Sequence, residues 1–432
     1  MSIYRISLVI RAVIILLFCI LAPQQLAAQK KPSAQKQATQ QDVITFLMDM
    51  RSAMMQRWFD PEKDLLGVRG SIAPLHWDST LVATDPDRDS IYTLTVTLTP
   101  SGKYAKLFGK RKLAYKFKVE NSTKLNGGWE TAQNSTVLLT GKPQTVSRIF
   151  NVQSLAPTPS TRSRNVRLHE FFQPKTLLRR TLSVYVPLGY EKSSQRYPVL
   201  YLHDGQNIFD DSTAASGEWY VDEIADMLIQ SKKLPPCIIV GVSVRGEDRI
   251  NEYTPVPMNR YDGLGRPDDL GGKGGLHAQM LVEEIKPFID STYRTLSDRA
   301  NTALGGSSLG GLMTLYTGMN YPNVFGKLMI MSPSVWWAKY WVLYAVNQNV
   351  QDSLQTSLRP SENRIWLDIG DAEGRESVEG VRSLKNLLLD KGWKLGSTFS
   401  YVETKNGQHT ESAWSERLEP ALLFLFGNNS RK

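Results

Sequence analysis

The chain has 432 residues, 22% of them charged and 41% hydrophobic, and a formal charge of +9. That length suits two domains, and the composition is that of a soluble globular protein, which excludes a disordered or collagen-like chain. The basic residues are scattered and form no stripe interleaved with aromatics, which excludes nucleic-acid binding and leaves at most a weak attraction to acidic surfaces.

In chain order, Arg5 and Arg11 precede an apolar run over 12–21, and Leu26-Ala27-Ala28 follows. A basic start, a short apolar core and small residues at its end predict a signal peptide over 1–28 and export to the periplasm or the medium. The run is too short to cross a bilayer, so no stable membrane anchor is expected. Bulky Leu17-Phe18 ahead of Cys19 also speaks against a lipid anchor. Losing Arg5 and Arg11 with the leader lowers the charge by two, to +7, and leaves Cys237 as the one cysteine. A single cysteine builds no disulfide framework. Cys237, in Pro236-Cys-Ile-Ile-Val-Gly, reads as a small core residue.

Residues 29–41 read as a disordered spacer. From 42 to 151 the signal is all β, with strands expected at 43–50, 65–70, 91–98, 112–119 and 136–140. Apolar and polar residues alternate in several of them, as in a small antiparallel sandwich. A Pro-, Ser- and Thr-rich linker over 152–165 follows. Over 166–428 strands alternate with helices: strands at 180–187, 197–203, 236–244, 302–305, 328–332, 364–369 and 398–403, helices at 221–230, 278–290, 309–319 and 377–391. This predicts an α/β fold with a mostly parallel sheet covered on both faces.

The chemistry centres on Gly306-Ser307-Ser308-Leu309-Gly310. A strand precedes it and a helix follows, the context of a nucleophile elbow with Ser308 exposed at a sharp turn. A serine nucleophile needs a base. Of the five histidines only His409 follows Ser308, as the chain order of such enzymes requires. The acid belongs on the loop after a strand between them. Trp366-Leu-Asp-Ile-Gly-Asp-Ala-Glu-Gly374 offers Asp368, inside the strand, and Asp371 and Glu373 on the loop. Glu373 is preferred, with Asp371 the alternative. Two backbone donors, the N–H groups of Gln206 and Leu309, are the candidates for an oxyanion hole. This chemistry calls for no metal and no cofactor. The Gly-rich stretch over 263–275 reads as a lid beside the cleft, and it lacks the Gly-Lys-Ser/Thr ending of a phosphate loop.

Residues 165–427 resemble the esterase family that includes enterobactin-type siderophore esterases, feruloyl and acetyl-xylan esterases, and S-formylglutathione hydrolases. The likeness rests on Tyr201-Leu-His-Asp-Gly-Gln-Asn207, Arg249-Ile-Asn-Glu-Tyr-Thr-Pro255, Gly305-Gly-Ser-Ser-Leu-Gly-Gly311, Ser332-Pro-Ser-Val-Trp-Trp337 and Gly407-Gln-His-Thr-Glu-Ser-Ala-Trp414. It implies an α/β-hydrolase, places the acid on Glu373 and the oxyanion loop at Gln206, and puts Tyr253, Trp219 and Trp336 on the cleft as substrate-binding residues. The first domain resembles starch- or glycogen-binding sandwiches through 68–77, 115–119 and 128–134, although Ser135 stands where many relatives have Arg. That likeness offers Trp77 and Trp129 as glycan-binding residues. The reading is an exported serine carboxylic-ester hydrolase acting on acylated carbohydrate or siderophore-type esters. The alternatives are acyl transfer on the same fold and a non-catalytic glycan-binding protein.

Overall fold

The computed structural model describes residues 42–99, 103, 107, 112–120, 122, 126–130, 134–152, 160–214, 217–259, 269–349 and 358–427. The predicted leader and spacer lie outside the described residues, as do 153–159 of the linker, 131–133 of the glycan-binding likeness and 263–268 of the Gly-rich stretch. Among the described residues no helix is long and apolar enough to cross a membrane.

Two small sheets come first. β1 (Asp42–Asp49) alternates strictly, with Ile44, Phe46 and Met48 buried and their neighbours half-exposed. A short helix, α1 (Arg51–Met55), leads to β2 (Leu65–Gly70), β3 (Leu81–Val82), β4 (Ile91–Leu98), β5 (Lys112–Glu120), β6 (Ser135–Leu138) and β7 (Gln144–Ile149). One sheet has the order β4-β1-β7 and the other β3-β2-β5-β6. All pairs are antiparallel except β1 with β7. Strands β2 to β6 intervene between that pair, so no hairpin forces it antiparallel. The inward residues of both sheets form a core of their own around Phe46, Tyr115 and Phe117.

The second assembly is an eight-stranded sheet. Its strands are β8 (Val166–Phe172), β9 (Arg180–Tyr185), β10 (Val199–His203), β11 (Ile238–Val242), then, after a two-stranded ribbon of β12 (Pro257–Met258) and β13 (Leu270–Gly271), β14 (Thr302–Ser307), β15 (Lys327–Met331), β16 (Arg364–Gly370) and β17 (Phe399–Thr404). The order is β17-β16-β15-β14-β10-β11-β9-β8. The six strands from β17 to β11 run parallel, and β9 and β8 complete one edge antiparallel. Central strands are buried on both faces, so they read as continuous apolar runs. In β10, Val199 and Tyr201 face one core and Leu200 and Leu202 the other.

Helices cover both faces: α2 (Val221–Gln230), α3 (Gly246–Glu252), α4 (Gly274–Met280), α5 (Lys286–Thr292), α6 (Leu309–Asn320), α7 (Trp337–Asn349), α8 (Arg375–Asp390) and α9 (Glu411–Phe426). Helix α2 shows why they pack: Val221, Ile224, Ala225 and Leu228, at helical spacing, are its buried stripe. Cys237 is fully buried, and burial pushes its thiol up to about 12, so it serves as a core residue. The β layers meet the α/β part through Lys112, which donates to the carbonyls of Asp211 and Ala214.

Candidate active site

β14 is buried along its length and ends at Ser307. Ser308 then takes φ 57° and ψ −123°, and Leu309 opens α6. This left-handed conformation is costly for a residue with a Cβ. It is held by three bonds: Ser308 N–H to the Met331 carbonyl at 3.0 Å, and the Ser308 carbonyl to the N–H groups of Leu312 at 3.1 Å and Ser334 at 3.0 Å. Glycine at 306 is a steric need, since a Cβ there meets the Gly310 carbonyl and the His203 side chain at 3.0 Å.

Ser308 Oγ lies 2.9 Å from His409 Nε2, and His409 Nδ1 lies 2.7 Å from Glu373 Oε2. The other oxygen of Glu373 accepts from Ser332 Oγ at 2.6 Å and from the Gly370 N–H at 2.7 Å. Burial opposes the charge on Glu373, but bonds from His409 and Ser332 and the nearby Arg417 hold its pKa below the ordinary value. Asp371 is exposed and accepts the Asn406 N–H instead. Asp368 is fully buried, takes the Trp366 Nε1–H at 2.7 Å, and is pushed up to about 6 by burial.

Sequence reasoning missed the layer behind Glu373. Arg417 is 3% exposed on α9; its Nη2 lies 2.7 Å from Ser332 Oγ and 3.4 Å from Glu373 Oε1, and its Nε 3.1 Å from Asp368 Oδ1. Trp414 donates to Ser332 Oγ at 3.0 Å and sets its ring against the edge of His409, centroids 4.9 Å apart. The available signal was an arginine at helical spacing with apolar core positions: Trp414, Arg417, Leu418 and Ala421 are all buried.

The loop after β10 starts at Asp204, in the left-handed region at φ 57°. Arg249 clamps the Asp204 carboxylate with two bonds of 2.8 Å. Gly205 is required, because a Cβ there meets the Gly241 carbonyl carbon at 2.5 Å. The Gln206 side chain is anchored between Asp204 and the Val244 N–H. Leu309 is the first residue of α6, where N–H groups lack intrahelical partners and the helix dipole favours negative charge.

These residues open into a cavity of about 750 Å³ whose wall includes Gln206, Trp219, Ser308 and His409 from the α/β part and Trp77 and Trp129 from the β layers. The two β-layer indoles lie 6.4 Å apart and are half-buried in that wall. Trp219 is 2% exposed and packs on Trp414. Two residues expected on the cleft are elsewhere. Tyr253 is fully buried, and its hydroxyl accepts the Asp204 N–H at 2.9 Å, so it braces the loop after β10 from behind. Trp336 is 39% exposed, lies tilted against Trp337 and is outside the cavity lining.

A mostly parallel eight-stranded sheet with a serine on its strand-to-helix turn defines an α/β-hydrolase. The family model described as Putative esterase matches residues 175–425, more than half of the chain, and the chain belongs to that family. It is 26% identical to the endo-1,4-beta-xylanase/feruloyl esterase of Xylanibacter ruminicola over 61% of this chain and 31% of that protein. It is 25% identical to the iron(III) salmochelin esterase of Escherichia coli O6:H1 over 54% of this chain and 52% of that one. Among solved structures, an enterobactin esterase from Shigella flexneri superposes with TM-score 0.54 at 15% identity, covering 84% of this chain and 87% of that one. The protein is a carboxylic ester hydrolase.

Proposed function

We propose that this esterase is exported and works through an acyl-enzyme on Ser308, with siderophore-type or feruloyl-type esters as its substrates. The observation that carries the mechanism is the chain Ser308 Oγ–His409 Nε2–Glu373 at 2.9 and 2.7 Å on a cavity of about 750 Å³. Ser308 Oγ attacks the ester carbonyl carbon while His409 Nε2 takes its proton. The carbonyl oxygen becomes an oxyanion and accepts the N–H groups of Gln206 and Leu309. Glu373 holds the imidazole by Nδ1–H and stabilises its charged form. His409 then protonates the departing alkoxide, and the alcohol leaves with the serine acylated. Water, deprotonated by His409, attacks the acyl carbon, and the acid is released as Ser308 regains its proton.

The relatives named for feruloyl and salmochelin esters support the substrate class. The basic and apolar start of the chain supports export. Hydrolysis of p-nitrophenyl acetate by the wild type and by Ser308→Ala tests the mechanism. The variant should lose at least ~10³-fold in kcat, and equal rates would refute the serine mechanism.

A further inference from the structure

The β layers contribute more than a wall. Three charged groups that line the cavity, Arg249, Asp204 and Glu130, sit in ion pairs. Arg249 is clamped by Asp204, and Glu130 is bound by buried Arg148 at 3.2 Å. Over the Trp129 ring stand three cations: Arg69 at 5.2 Å, Lys118 at 5.2 Å and Lys116 at 6.0 Å from its centroid. Glu120 takes two of them, Arg69 at 2.7 Å and Lys118 at 3.2 Å. Among the described residues, Lys116 forms no ion pair. It is half-buried on β5 and lines the same cavity as Ser308 and His409. Burial lowers its pKa, against the opposing field of Glu130. A partly desolvated ammonium without a counter-ion is costly, and a ligand that brings an anion relieves that cost.

We propose that Lys116, with Trp77 and Trp129, forms a specificity subsite for an anionic aromatic arm of the ester, an aryl carboxylate or an ionised phenol. The two indoles, with centroids 6.4 Å apart, offer faces for a planar ring. The ammonium supplies a charge-assisted bond to the ring's anionic oxygen. A neutral sugar would use the indole faces and leave Lys116 unpaired, so the charge favours the anionic arm. The inference rests on the Ser308 esterase reading for its catalytic meaning.

The test uses the full chain and two esters with the same scissile bond, methyl cinnamate and methyl 4-carboxycinnamate. The wild type should prefer the carboxylated ester in kcat/KM. Lys116→Met should reduce that preference at least tenfold, mainly through KM, and Lys116→Arg should restore it. A loss shared equally by both esters, or no loss, overturns the proposal. Binding of 4-carboxycinnamate to Ser308→Ala, followed by tryptophan quenching, separates the two readings because it needs no turnover. Saturable binding that Lys116→Met weakens tenfold supports the subsite even if Ser308 proves inert, and binding indifferent to Lys116 refutes it even in an active esterase.

Discussion

Gln408 Nε2 lies 3.0 Å from His76 Nδ1, so the residue beside His409 is tied to the β layers. The histidine loop is therefore braced by a part of the chain more than three hundred residues away in sequence. Misplacing a catalytic group by about 1 Å costs on the order of 10²-fold in rate. Gln408→Ala and His76→Ala should each lower kcat several-fold, with little change in KM for p-nitrophenyl acetate. The double variant should be no worse than either single one, because both remove the same bond. Additive losses would mean that the contact is incidental.

Glu373 and Asp371 are separable by substitution. Glu373 touches His409, whereas Asp371 bonds the Asn406 N–H, a role asparagine can keep. Glu373→Gln should lower kcat by ~10³ to 10⁴, the scale seen when a triad acid is neutralised. Asp371→Asn should stay within about a factor of three, because it leaves the charge on Glu373 untouched. Steady-state kinetics on one substrate compares them.

Arg417 faces two buried carboxylates, Glu373 and Asp368. Arg417→Met leaves both without their cation, a change that costs about 3 to 5 kcal/mol when a buried pair is broken. Urea denaturation should show a lower midpoint. The folded fraction should also lose activity, since Ser332 and Glu373 lose a shared partner.

Glu411 sits in the cavity wall, facing Asp204, Arg249 and His409, with Asn207 Nδ2 3.4 Å from its Oε1. Burial, then the Asp204 charge, push it from the ordinary 4.5 up to about 7, against Arg249 and His409. The folded protein thus holds a proton there that the unfolded chain has lost between about pH 4.5 and 7. Its contribution to stability is largest below 4.5 and falls as pH rises towards 7. Glu411→Gln should remove that loss, so the drop in Tm between pH 5 and pH 8 should shrink. An unchanged drop would assign the pH dependence elsewhere.

Much of this site was legible in one sequence because its parts have local causes. The elbow needs glycines where strand and helix approach, and a single histidine follows Ser308. Central strands announce themselves as apolar runs. What was not legible depends on distant packing. β8 is an edge strand with the irregular burial of an exposed surface, and Phe171 is 70% exposed, so no period marks it. β7 is mostly polar and finds its place only by pairing with β1, its partners lying 100 residues earlier. Tyr253 belongs to a recognisable motif, but only the fold shows that its hydroxyl points to Asp204 and not to the cleft. Likewise, the pattern around Trp77 and Trp129 suggests ligand-facing rings, but not that they line one cavity with Ser308.

The acyl-enzyme is the central claim, and intact-mass spectrometry after treatment with a fluorophosphonate probe tests it most directly. One adduct per chain should appear, map to the tryptic peptide containing Ser308, and vanish in Ser308→Ala. An unlabelled but hydrolytically active wild type, or an adduct that persists in Ser308→Ala, would contradict it.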